Sequence, residues 1–119
     1  MSEPLIHFVC GSTGAGKTTY ALSFASRIGA ARFSIDEWMS CLFWPDAPQP
    51  IDPGWAMERV GRCRDLIWST AVDAADRGMT CVLEIGLTTV AARAAMAAKA
   101  SEAGLVCRFH LLDVAVDER

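Results

Sequence analysis

Positive charge is scarce in this chain. Of its 119 residues only Lys17 and Lys99 are lysines, and the formal net charge is −3. Without a basic run there is no stripe to track a nucleic-acid backbone and no patch to hold an anionic membrane, so neither partner is expected; a small anion is not excluded. Long hydrophobic runs are also lacking, since every apolar stretch falls far short of the roughly 18 residues that indicate a membrane span. The opening MSEPLIHFVCGS has no basic segment of the kind that starts a secretory leader, which makes the cytoplasm the expected compartment. Cysteine pairing is missing too. Cys10, Cys41, Cys63, Cys81 and Cys107 form an odd, widely spread set with no C-x-x-C and no histidine at metal-ligand spacing, so they read as reduced, mostly buried thiols.

What is present is apolar material: 52% of the residues are hydrophobic, enough for one core in a single domain over 1–119. Gly29, Gly78 and Gly104 each close a helix-like segment and precede a short apolar run, so the repeating unit is strand then helix. Strands are predicted over 5–10, 31–35, 80–85 and 105–114, and helices over 17–28, 55–77 and 89–103. The stretch WPDAPQPIDPG at 44–54 holds four of the five prolines and is predicted to be a loop. In the long helix Val60, Cys63, Ile67, Ala71 and Ala74 recur at spacings of three and four, with charged residues between them. This alternation predicts an α/β fold with a parallel sheet covered by helices on both faces.

One motif carries chemistry on its own. GSTGAGKT, residues 11–18, satisfies G-x-x-x-x-G-K-[ST] in full, between an apolar strand and a helix. Gly11, Gly14 and Gly16 let the backbone of Gly11, Ser12, Thr13, Gly14, Ala15 and Gly16 curl so that its N–H groups point inward at phosphates. The helix that follows adds the positive end of its dipole through Lys17, Thr18 and Thr19. Lys17 is assigned to the β and γ phosphates and the Thr18 hydroxyl to Mg²⁺. The dinucleotide pattern G-x-G-x-x-G is not met, because Lys17, Thr18 and Thr19 follow Gly16.

Ligands of open parallel sheets sit beyond the carboxyl ends of the strands, so acids there are candidates for catalysis. Asp36, in RFSID, is placed to accept the proton of an acceptor hydroxyl; its alternative is to cap the following helix segment EWMSCLFW. Glu84, in VLEIG, stands where phosphate-loop proteins carry an acid that serves the Mg²⁺ shell. A carboxylate in an apolar strand is costly unless paired, with a buried arginine as the structural alternative to the metal. His7 and His110 read as core or edge residues, Trp38, Phe43, Trp44 and Trp55 as packing around the proline loop, and Arg59 and Arg62 as a solvated helix face.

With GSTGAGKTT, RFSIDEW and VLEIGL in this order, the chain resembles the P-loop small-molecule kinases of the zeta-toxin-like and chloramphenicol-phosphotransferase-like group, among which many sequences are called AAA-family ATP-binding proteins. The resemblance covers almost the whole chain, and its specific motif is the first. It implies a three-layer P-loop fold with strand order 2-3-1-4-5, Mg-ATP as phosphoryl donor, a small-molecule hydroxyl as acceptor, and an aspartate after strand two as the base, which Asp36 matches. Glu84 stands where the group more often has Asp. Four strands are visible here, giving the order 2-3-1-4; the group's arginine-bearing lid and fifth strand would follow HLLDVAVDER, so the chain is expected to be cut short, to bind nucleotide weakly and to self-associate through strand four. The competing reading is an ATP-binding or ATPase module without transferase activity.

Overall fold

The computed structural model describes residues 4–11 and 16–112. Its elements run in the order β1 (Ile6–Gly11), α1 (Lys17–Ile28), β2 (Ala31–Ser34), α2 (Ile35–Leu42), a 3-10 turn (Trp44–Asp46), α3 (Pro53–Asp76), β3 (Cys81–Glu84), α4 (Val90–Glu102) and β4 (Cys107–Leu112). The four described strands form one parallel sheet in the order β2-β3-β1-β4, as expected. Ser34 pairs with Glu84, Phe8 with both Leu83 and Phe109, and Gly11 with Leu112. β1 lies between two strands and under helices on both faces, and all six of its residues are buried.

Side chains alternate across the sheet, so neighbours in sequence serve different layers. Val9 and Val82 face α1, where Ala21 and Ala25 meet them. Ile6, Phe8, Cys10, Leu83 and Ile85 face the other way, against Met39 of α2, Ile67 and Ala71 of α3 and Met96 of α4. That second face is the larger core. Phe8 lies between Trp68 and Phe109, with ring centroids at 6.2 and 4.8 Å.

Several boundaries differ from the sequence reading, two of them for clear local reasons. α3 begins at Pro53, inside the stretch expected to be loop, because proline at a helix's first position lacks only an N–H that would be unpaired there; Asp52 caps the turn by accepting the Trp55 N–H at 3.0 Å. α2 is capped by Ser34, not by Asp36. The Ser34 Oγ accepts the Glu37 N–H at 3.4 Å, which leaves Asp36 inside the first turn. Strand four is shorter than expected, with Leu105 and Val106 before it and residues 113 and 114 outside the described part.

With 24 residues, α3 is about 36 Å long, well beyond the length of the strands it covers. Arg64 donates to the Ile85 carbonyl, one residue past β3. The turns of α3 before Arg64 therefore stand beyond the carboxyl edge of the sheet, packed with α2. None of the described helices is long and apolar enough to cross a membrane.

Candidate active site

The carboxyl end of β1 delivers the chain to the phosphate motif. A Cβ on Gly11 would lie 2.5 Å from the Leu112 carbonyl oxygen and 3.3 Å from Lys17 Cγ. No side chain fits there. The glycine thus lets β4 close on β1 and lets the Lys17 stem fold back over the strand end. α1 starts at Lys17 directly after Gly16 (φ 83°), with Lys17 half-buried and Thr18 and Thr19 exposed. Ser12, Thr13, Gly14 and Ala15 lie outside the described residues. Beside them, the buried Cys10 thiol is pushed up to about 11 by burial, with the positive charges of Arg93 and Lys17 pulling weakly the other way. It stays protonated at neutral pH and is no nucleophile.

Glu84 is the last residue of β3 and Asp36 lies two residues past the end of the neighbouring β2, whose Ser34 pairs with Glu84, but their surroundings differ. Asp36 is exposed in the first turn of α2, and its carboxylate makes no hydrogen bond or ion pair among the described residues. Glu84 is 6% exposed, and its Oε2 accepts the Arg32 Nε–H at 2.5 Å. Arg32 in turn reaches Glu37, its Nη2 lying 2.8 Å from Oε2 as an ion pair by distance. Burial works against the Arg32 charge, yet the hydrogen bonds and charges of Glu37 and Glu84 outweigh it and hold the guanidinium above its ordinary value. The burial cost that pointed from Glu84 to a metal is therefore met by an arginine. Glu84 Oε1 has no hydrogen-bond partner among the described residues.

The aromatic residues around the proline loop pack on each other. Trp44 and Trp55 have ring centroids 6.1 Å apart, and Arg59 lies over Trp55 at 4.3 Å and over Phe43 at 5.9 Å. Arg62 pairs with Glu58 on the exposed side of α3. Three arginines that sequence reasoning passed over face inward: Arg32, Arg64 and Arg93. Arg93 is 8% exposed and donates to the Leu87 carbonyl at 3.4 Å, so with Arg64 it braces the segment after β3. A signal was available for both. Each stands at core spacing on an apolar stripe, Arg64 between Val60 and Ile67 and Arg93 before Met96 and Ala100.

Away from this rim, His7 Nδ1 lies 3.0 Å from His110 Nε2, and the Tyr20 hydroxyl lies 2.6 Å from His110 Nδ1. Burial lowers the pKa of both histidines. For His7 a Pro4 main-chain hydrogen bond opposes this and the Arg108 charge adds to it; for His110 the charges of His7 and Arg108 add to it. The pair is a packed polar contact under α1. No group of three or more His, Cys, Asp or Glu able to hold a metal occurs among the described residues.

The fold has solved counterparts. A candidate kinase from Chloroflexus aurantiacus j-10-fl superposes with a TM-score of 0.72 at 18% identity, over 94% of this chain and 60% of that one. A chain of the Pnkp1/Rnl/Hen1 complex matches with a TM-score of 0.73 at 15% identity, over 99% of this chain and 39% of its own, and a chain of the Pnkp1/Rnl/Hen1 RNA repair complex with 0.72 at 16%, over 99% and 36%. The chain thus spans 60% or less of the length of these structures, and at such identities the likeness is one of fold. No curated protein matches it. Residues 6–119 match the family described as AAA domain, so the chain belongs to this AAA-domain family, and its G-x-x-x-x-G-K-T motif and the parallel sheet order β2-β3-β1-β4 agree with that membership.

Proposed function

We propose that the chain binds Mg-ATP and transfers the γ-phosphoryl group to a hydroxyl of a small molecule. The observation that carries this reading is the complete G-x-x-x-x-G-K-T sequence set between the buried strand β1 and α1, with Gly11 too closely approached to bear a side chain. Backbone N–H groups of residues 11–16 cradle the phosphates, and Lys17 neutralises the charge that builds on the β and γ groups. Asp36, exposed and with its carboxylate unpartnered among the described residues, stands at the edge where ligands of such sheets bind and takes the proton of the acceptor hydroxyl. As the acceptor oxygen bonds to phosphorus, the bond from phosphorus to the β-phosphate oxygen breaks and ADP leaves with that electron pair.

The residues present fit Mg²⁺. This ion keeps several waters and takes only one or two protein oxygens when it bridges nucleotide phosphates. Thr18, exposed at the start of α1, and Oε1 of Glu84, which has no hydrogen-bond partner among the described residues, are oxygen donors of that kind. When bound, the ion would offset charge on the transferring group; the protein's part is to offer these two oxygens.

Replacing Asp36 with Asn tests the assignment of the base. Release of ADP in the presence of a panel of hydroxyl compounds is expected to fall by about 10²–10⁴-fold, while ATP binding stays as it was. Unchanged turnover would remove Asp36 from that role. Hydrolysis of ATP that no acceptor accelerates would instead favour the ATPase module. The cytoplasm as compartment belongs to the proposal, as does self-association. β4 pairs only with β1 among the described residues, and Phe109 and Leu111 line an apolar groove of about 430 Å³ beside α4. Sedimentation velocity checks the latter, since a monomer at every concentration would exclude it.

A further inference from the structure

We propose that Arg32 is a positioning residue that sets the metal acid and the catalytic base at one fixed spacing. The inference rests on the roles proposed above for Glu84 and Asp36. Arg32 lies on β2 with its side chain 11% exposed, and one guanidinium joins two elements: Nε donates to Glu84 Oε2 at the end of β3, and Nη2 lies 2.8 Å from Glu37 Oε2 in the first turn of α2, an ion pair by charge and distance without hydrogen-bond geometry. Glu37 is already tied through its own N–H to the Ser34 cap. Asp36 is therefore fixed in a turn anchored by main chain on one side and by side chain on the other, while its own carboxylate stays unengaged.

The chemistry favours arginine at this position. A planar guanidinium spreads its charge over three nitrogens on one rigid plane, so it can donate to one carboxylate through Nε while its Nη2 end faces a second on another element; an ammonium on a flexible stem concentrates its charge at one point. The bond to Oε2 also decides which oxygen of Glu84 is left for the metal shell. Without it the carboxylate can turn, and the buried charge loses its partner. Misplacing a catalytic group by about 1 Å can cost on the order of 10²-fold in rate, so a clamp remote from the substrate is still felt in turnover.

Two measurements test the clamp separately. The first uses ADP as probe, with its affinity measured by calorimetry with and without Mg²⁺. In Arg32→Gln the tightening by Mg²⁺ is expected to shrink at least about tenfold relative to the native chain, and Arg32→Lys, which keeps a charge beside Glu84, is expected to restore part of it. The second uses Glu37→Gln, which releases the exposed arm and leaves the buried one. Here kcat is expected to fall roughly ten- to a hundredfold with KM for ATP and the thermal midpoint nearly unchanged, a pattern that loss of a structural surface pair does not produce. An unaltered Mg²⁺ effect in Arg32→Gln, or an unaltered kcat in Glu37→Gln, overturns the proposal. The ADP arm involves no phosphoryl transfer, so it decides the role of Arg32 at Glu84 even if the kinase reading fails.

Discussion

The two faces of the sheet bury different things. Toward α1 lie small apolar residues, Val9, Ala21, Ala25 and Val82, and with them the wholly or partly buried polar groups: the histidine pair with Tyr20, and the Arg32–Glu84 ion pair. Toward α2, α3 and α4 the interior is an apolar cluster around Phe8, Ile67 and Leu83, and its polar contacts are arginines donating to main-chain carbonyls at the rim. Buried apolar area scales with stability, whereas buried polar pairs add little net stability and demand one arrangement. The α3 face therefore carries the free energy of folding. The α1 face carries the register of the strands, and Lys17, Thr18 and Glu84 sit at its carboxyl rim.

The largest expected effect breaks the apolar face. Phe8→Ala empties the space between Trp68 and Phe109 and is expected to cost about 3–5 kcal/mol in urea unfolding. On the α1 face, Glu84→Gln leaves Arg32 with only the exposed Glu37 as partner and is expected to cost about 3 kcal/mol. The double variant Arg32→Met, Glu84→Leu removes both charges and is expected to regain stability to within roughly 1 kcal/mol of the native chain, because a well-packed apolar pair replaces an ion pair at little net cost. No such rescue is open to Phe8→Ala. If the double variant proves as unstable as the sum of its parts, the pair contributes stability of its own and the contrast between the faces fails.

How legible these features were depends on how local their causes are. The alternation of strands and helices could be read because alternation and three-four spacing are written into short windows. The phosphate motif could be read because curling a backbone around phosphates needs glycines within a few residues. Helix starts differ from the sequence reading by a residue or two, at Pro53, where proline fits a helix's first position, and at Ser34, which caps α2 two residues ahead of Asp36. The Arg32–Glu84 pair spans 52 residues and the histidine contact 103. Both exist because parallel registers bring Ser34 beside Glu84 and Val9 beside His110, and nothing in a window around either residue announces the other. The structural alternative for Glu84, a buried arginine, was foreseeable; which arginine was not.

The smallest expected effect concerns acid. His7 and His110 are held below the ordinary histidine value of 6.5 mainly by burial, so near and below that pH the unfolded chain binds more protons than the folded one. Their contribution is thus fully present above about 6.5 and is lost as the pH falls through the lowered values of the folded state. Protonating both rings would also set two positive charges 3.0 Å apart beside Arg108 and remove the acceptor that links them. His110→Gln keeps a group able to hydrogen-bond Tyr20 and His7 but cannot titrate. Its urea midpoint is expected to fall less between pH 7.5 and 5.5 than that of the native chain, whereas Phe8→Ala, on the face without histidines, should keep the native acid sensitivity on a lower baseline. Equal acid sensitivity in native and His110→Gln chains would place the titrating groups elsewhere and leave the α1 face no more responsive to acid than the other.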